Sequence, residues 1–335
     1  MTFDFGAELS QPETNIKVWP TDGQRVALVD ADLLPYKVGY SIDPLKFCRA
    51  NYRVEKGECK TIQETEEFQD ALEKMCLIYN DWVQAAGCDS AIPYLTLSEN
   101  NFRNAIAFSK PYKGQRKSEK PPFFAELKTY FIEHLGGVLA DGEEADDLIS
   151  IEANERNRNL AAQGIELGSK VHQEFCDFVI ISSDKDSRIT CGWHYDPDKQ
   201  RKTFGTVLGE LEPEWKDGSI KKLKGSGLKF FYAQMIIGDQ ADNYAGIPRK
   251  GPKFAYDLLA ELKSEKELYY AVLGAFKAHY GETCIAKNYR GGKRELTAYQ
   301  MMLEQARLAH MQTFKGDIWR AKSPLPSGEG AAEWG

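Results

Sequence analysis

With 335 residues the chain is long enough to bury one large core or two smaller ones, and its 42% apolar and 28% charged content is that of an ordinary globular protein. No apolar run approaches the roughly 20 residues of a membrane span, and the polar, acidic start from Met1 to Pro20 lacks the basic-then-apolar plan of a secretion signal. Seven scattered cysteines without a Cys-x-x-Cys pair argue against a disulfide framework or a structural zinc and place the chain in a reducing cytoplasm. The formal charge of −7 is segregated by sign. Acid gathers at 141–147, 184–186 and 239–242, and base at Lys110–Lys120, Lys221–Lys229 and Arg249–Lys253. A cation-holding centre flanked by basic patches gives this balance, and so does a mixed-charge surface.

Residues 1–22 read as a polar leader. Arg25-Val26-Ala27-Leu28-Val29 predicts a buried strand ending in the acidic Asp30-Ala31-Asp32. Phe68, Leu72, Cys76, Tyr79 and Val83 recur at helical spacing and predict a helix over 62–86, stopped by Gly87. A second strand is expected at Ala91–Leu97. Pro121-Pro122 opens another helix, with Phe123, Leu127, Tyr130 and Phe131 apolar, which Gly136-Gly137 closes. A third short strand, Gly137-Val138-Leu139-Ala140, leads into Gly142-Glu143-Glu144-Ala145-Asp146-Asp147 and then a helical pattern. Asp177-Phe178-Val179-Ile180-Ile181 is the clearest strand, and it ends in Ser182-Ser183-Asp184-Lys185-Asp186.

Strands alternating with helices predict a parallel α/β sheet, whose ligands bind beyond the strands' carboxyl ends. Asp30, the Glu144 cluster and the Asp184/Asp186 pair all fall at such ends. In the first turn of a helix, two carboxylates about 5 Å apart repel by roughly 3 kcal/mol at an effective dielectric near 20. The helix dipole returns only about 0.3–1 kcal/mol per residue. Repulsion wins unless cations arrive or the cluster faces open water.

Past residue 195 the pattern changes. Trp193–Phe204 with Val207–Leu211 suggests a hairpin, Gly225–Ile237 a helix, and 253–312 a mostly helical region, followed by a mobile tail at 323–335. Gly238-Asp239-Gln240-Ala241-Asp242-Asn243 follows the apolar helix end, and a turn rich in Gly and Pro runs on to Lys253. Such a turn presents amide groups at the next helix start, a seat for phosphate with Arg249, Lys250 and Lys253 adding charge.

Taken together, these segments resemble the 5′-nucleases of the flap-endonuclease superfamily, most of all the 5′→3′ exonucleases of short-tailed phages. Val29-Asp30, Pro111-Tyr112-Lys113-Gly114-Gln115-Arg116, Glu144-Ala145-Asp146-Asp147, Ser183-Asp184-Lys185-Asp186 and Gly238-Asp239 to Asn243 match its motifs in order, and Tyr299–Arg320 matches its closing stretch. Two positions depart from the pattern. Ser98, with Glu99 next to it, stands where an aspartate is usual ahead of Phe102-Arg103, and Arg249 stands where glycine is common.

The resemblance implies a PIN-like catalytic domain over 23–195, a parallel sheet with helices on both faces. It implies a basic arch-like segment at about 99–122 and a helical DNA-binding region at 196–322, with a helix–three-turn–helix motif at about 230–262. It implies hydrolysis of DNA phosphodiesters, and of RNA in RNA–DNA hybrids, with two Mg²⁺ or Mn²⁺ ions. Asp30, Glu144, Asp146 and Asp147 would serve the first ion, and Asp184, Asp186, Asp239 and Asp242 the second. Lys113 and Arg116 would steer the scissile phosphate. Lys110, Lys117, Gly246, Arg249, Lys250, Gly251 and Lys253 would meet DNA, with potassium at the turn. A monomer in the host cytoplasm is expected. Two other readings stay open, a haloacid-dehalogenase-type phosphatase built on Asp30 and Asp32 and a non-catalytic DNA-binding protein.

Overall fold

The computed structural model describes residues 24–321 except 116–118, and only the backbone of Ser98 and Glu99. The expected leader and tail lie outside these residues, as do Arg116, Lys117 and the side chains of the Ser98/Glu99 departure. Strand β1 (Val26–Asp30) is followed by helices α1 (Leu33–Gly39), α2 (Pro44–Glu55) and α3 (Glu66–Ala85). After β2 (Ser90–Asn101) come the short α4 (Arg103–Ile106) and α5 (Phe124–His134). Then β3 (Val138–Gly142) leads to α6 (Ala145–Ala162) and α7 (Lys170–Phe175). With β4 (Phe178–Ile181), β5 (Gly192–Asp196) and β6 (Arg201–Gly205), the strands form one sheet ordered β3-β2-β1-β4-β5-β6. All neighbours pair in parallel except β6, which closes the edge antiparallel to β5.

Apolar runs without alternation, such as Val26–Val29, mark strands covered on both faces. Here Ala27 and Val29 pack with Leu34, Phe68, Met75 and Phe131 of the helices on one face. Leu28 points the other way, against Ala145, Ile149 and Ala153 of α6. The parallel arrangement brings the ends of β1, β3 and β4 to one rim, each followed by acid. Helix starts follow their capping chemistry. Thr65 accepts from the Phe68 amide at 3.3 Å, and Asp43, ahead of Pro44, accepts from the Leu45 amide at 2.9 Å.

The second half holds β7 (Leu211–Lys216), β8 (Ser219–Gly225), α8 (Gly227–Ile237), α9 (Pro252–Leu259), α10 (Glu265–Tyr280), β9 (Thr283–Lys287), β10 (Lys293–Thr297) and α11 (Ala298–Ala309). Its own core gathers Phe231, Tyr232, Met235, Val272, Phe276 and Met302 around α8, which is buried on nearly every side. Two expectations change. The partner of β5 is Arg201–Gly205 rather than Val207–Leu211, and Leu211 instead opens a second hairpin. Asp217-Gly218, both left-handed at φ 51° and 72°, makes the two-residue turn of that hairpin. The mostly helical stretch after 253 is also interrupted by the β9–β10 hairpin. Among the described residues no helix is long and apolar enough to cross a membrane.

Candidate active site

Glu144 is the N-cap of α6 and forms a reciprocal capping box with Asp147. One carboxylate oxygen each from Glu144, Asp146 and Asp147 lie within 4.8 Å of one another. The three residues are not equivalent. Asp147 is fully buried and takes a two-pronged grip from Arg103, at 2.5 Å to Oδ2 and 2.8 Å to Oδ1. The Glu144 amide donates to Oδ2 and the Gln312 amide to Oδ1, both at 3.2 Å. These four donors fill the lone pairs of Asp147 and leave none for an ion without breaking a bond. Asp146 is the opposite case. Its Oδ1 is buried with no hydrogen-bond partner. Burial, with Glu144 and Asp147 beside it, pushes its carboxyl far above the ordinary carboxylate range.

Asp30, at the end of β1, accepts from the Ser182 hydroxyl at 3.0 Å and lines one crevice with Asp146, Ser187 and Met311. Burial, and then the neighbouring Asp32, raises its carboxyl to about 7. Asp186 stands at about 7 for the same leading reason, with Asp184 adding to it. Asp32 itself is tied down by the Thr96 amide at 2.8 Å and by Lys128 at 3.1 Å.

The loop after α8 closes on this group. Asp239 and Tyr244 exchange backbone hydrogen bonds at 2.9 and 3.0 Å, and the amides of Ala241 and Asp242 donate to Asp239 Oδ1 at 2.6 and 3.1 Å. The Tyr112 hydroxyl reaches Glu144 Oε2 at 2.9 Å and Asp242 Oδ2 at 3.1 Å, joining the two acidic segments. Lys113 Nζ pairs with Glu144 and lies 3.7 Å from Asp242 Oδ1. Lys185 Nζ pairs with Asp239 and lies 3.9 Å from Asp186 Oδ1. Burial opposes the charge on Asp239, but Lys185 and the two amides outweigh it and hold this carboxyl below its usual value. Asp30, Glu144, Asp146, Asp184, Asp186, Asp239 and Asp242 therefore share one rim, with Lys113 among them.

The backbone of Lys113 is left-handed at φ 51°, which costs a non-glycine residue about 1 kcal/mol. Its neighbours hold it there. The Lys113 amide donates to the Asp242 carbonyl at 3.0 Å, and Asn243 clasps the Pro111 carbonyl and Gln115 at 2.8 Å each. Within the expected arch, Arg103, Ala107, Phe108 and Tyr112 are buried, while Lys110, Pro111, Gly114 and Gln115 are exposed. Phe108 and Tyr112 sit in the second core, and Glu304 accepts from the Phe108 and Ser109 amides at 2.8 and 2.7 Å.

Gly246 needs correction as a DNA contact. It is buried, and its amide donates to Gln305 Oε1 at 2.9 Å, so that amide has no proton left for a phosphate. Lys110, Arg249 and Lys253 are exposed and Gly251 is partly so, but Lys253 is paired with Asp257 at 2.5 Å. Lys250 lies 4.2 Å from the centre of the Phe254 ring. The sequence reading gave no site role to Arg103, Tyr112, Lys185 or Ser182. Each lies inside or next to a quoted motif, but their value depends on partners up to 207 residues away, such as the His310 carbonyl that accepts from Arg103 at 2.6 Å.

No family model matches the chain. A curated relative, the flap endonuclease Xni of Shewanella piezotolerans, is 26% identical over 176 residues, 50% of this chain and 60% of that protein. The chain therefore spans less than two thirds of that relative's length. This sequence resembles a 5′-nuclease. Among solved structures, the bacteriophage T5 5′-exonuclease with bound zinc aligns at TM-score 0.42 and 13% identity, over 86% of this chain and 93% of that one. A bacteriophage T5 flap endonuclease in a pseudo-enzyme–product complex with DNA and metal ions aligns at 0.40 and 13%, over 85% and 99%.

Proposed function

We propose that the chain is a metal-dependent 5′-nuclease that hydrolyses DNA phosphodiesters at 5′ ends or 5′ flaps. One observation carries the reading: Asp146 Oδ1, a buried oxygen without a hydrogen-bond partner, stands beside Glu144 and shares a crevice with Asp30, while Tyr112 and Lys113 join Glu144 to Asp242 from the loop after α8. The sequence similarity to a protein named as a flap endonuclease supports it. An oxygen-only donor set without histidine suits Mg²⁺ or Mn²⁺ and suits zinc poorly. When bound, two such ions supply positive charge against the charge that builds up on the phosphate oxygens during displacement.

The roles of the chain's own residues follow from their contacts. Asp30, Glu144 and Asp146 offer oxygens on the sheet side, and Asp184, Asp186, Asp239 and Asp242 on the side of the helical half. Asp147 fixes Arg103 and the α6 start instead of offering a ligand. Tyr112 orients Glu144 and Asp242 together. Lys113 holds an ammonium beside them as a point charge for the scissile phosphate, with Arg116 three residues on as a candidate for a two-pronged grip. The α8–turn–α9 segment serves as the helix–three-turn–helix element, with Arg249, Lys250 and Gly251 along the duplex backbone and potassium at the turn. RNA in a hybrid duplex would present the same phosphates. The enzyme works as a single copy.

A 5′-flap substrate and a blunt duplex, labelled at each end in turn and incubated with Mg²⁺, test the reading. Asp146→Asn is expected to abolish cleavage and to leave binding in Ca²⁺ or EDTA largely intact. Near-normal cleavage by this variant would remove Asp146 from the metal site.

A further inference from the structure

Lys185 has no part in the function described so far, yet its ammonium occupies a defined place. It pairs with Asp239 from the loop after α8 and reaches Asp186 in its own segment at 3.9 Å. Asp186 is fixed in turn by Gln234 of α8, at 2.5 Å. The Asp239 side chain is 5% exposed and that of Asp186 16%, whereas the Lys185 side chain is 48% exposed. The two carboxylates are thus fixed and enclosed, while the cation between them hangs on a flexible stem with open solvent on one side. Lys113 occupies the matching position between Glu144 and Asp242. Both halves of the acidic rim are therefore bridged by an ammonium supplied by the chain itself.

We propose that Lys185 is a built-in counter-cation that holds Asp186 and Asp239 together and competes with a divalent cation for them. The inference rests on the metal-dependent reading above. The physical basis is simple charge counting. Two enclosed carboxylates a few ångströms apart repel, and one ammonium offsets that repulsion. A divalent cation offsets more of it, but only if the lysine leaves or stays as a like charge beside it. Either way Lys185 opposes the incoming ion. A lysine suits this place better than an arginine, because a point charge on a rotatable stem releases its partners singly, whereas a guanidinium holds carboxylates in a planar fork. Lys185 is accordingly a positioning residue, and its effect should show in ion affinity without any substrate present.

The test is calorimetric titration of the full chain with Mn²⁺ at about neutral pH, with no nucleic acid. Lys185→Met keeps the apolar stem and removes the charge. It is expected to bind Mn²⁺ at least about fivefold more tightly than the wild type and to melt at a lower temperature in EDTA, where its acids lose their partner. Lys185→Arg should bind more weakly than the wild type and melt no lower in EDTA. Unchanged or weaker Mn²⁺ affinity in Lys185→Met, or unchanged or tighter affinity in Lys185→Arg, overturns the proposal and leaves the nuclease reading standing. A wild-type chain that takes up no Mn²⁺ overturns both.

Discussion

Removing one partner of a buried ion pair strands the other charge in a poorly solvated place, and this sets the expectation for Arg103. Its guanidinium is 2% exposed and holds Asp147, which is fully buried, while also donating to the Leu308 and His310 carbonyls at 3.2 and 2.6 Å. Arg103→Met should cost about 3–5 kcal/mol of folding stability, because Asp147 loses its cation and two carbonyls lose a donor. A denaturant midpoint within error of the wild type would show that solvent reaches this pair. A second expectation at this scale concerns Asp30, whose carboxyl stands at about 7 against an ordinary 3.8. An acid with a raised value in the folded state contributes stability that is complete below about pH 3.8 and lost as pH climbs through about 7. Asp30→Asn stays neutral throughout. In EDTA, the variant's melting temperature relative to the wild type should therefore rise between about pH 5 and pH 8. The buried His194, lowered to about 4, pulls stability the other way with pH, but it is common to both chains and cancels in the difference. A pH-independent difference would place Asp30 in contact with solvent.

At the scale of elements, the turn between α8 and α9 depends on glycines in two distinct ways. Gly246 is left-handed at φ 62°, and a Cβ there would stand 2.4 Å from the Ile236 carbonyl oxygen. Gly251 has an ordinary φ and nothing within 4 Å of such a Cβ. Gly246→Ala should thus cost about 2–4 kcal/mol in denaturant unfolding, while Gly251→Ala stays within about 0.5 kcal/mol. Equal effects would mean that the turn rearranges. Arg249, where the sequence pattern leads one to expect glycine, is itself left-handed at φ 64°. Elements of this kind were legible where their cause is local. The apolar run of β1, the proline-led start of α5 and the acidic opening of α6 all stand within a few residues of their explanation. The β7–β8 hairpin carried an equally local signal in Asp217-Gly218, but the sequence reading gave Leu211, which opens it, to the preceding hairpin. The division of labour within Glu144–Asp147 was not legible. It depends on Arg103 and on the Gln312 amide, and no spacing rule announces a donor 165 residues away.

For the whole molecule, the acidic rim lies where two hydrophobic cores meet. The sheet core supplies Asp30 and the α6 acids, and the helical core supplies Asp239 and Asp242 through the loop that leaves α8. The cores are also joined directly, by Arg103 to 308–312 and by Phe108 and Tyr112 packed into the helical half. An ion bound by acids from both sides must be released when either side unfolds, so its binding free energy stabilises both at once. Saturating Mn²⁺ should therefore raise a single cooperative melting transition by several degrees, following both far-ultraviolet dichroism and tryptophan fluorescence. Asp242→Asn, which alters only the helical half, should reduce that shift for the whole transition. Two transitions, with Mn²⁺ moving just one of them, would show that the ion is held by one core alone and that the rim is not shared.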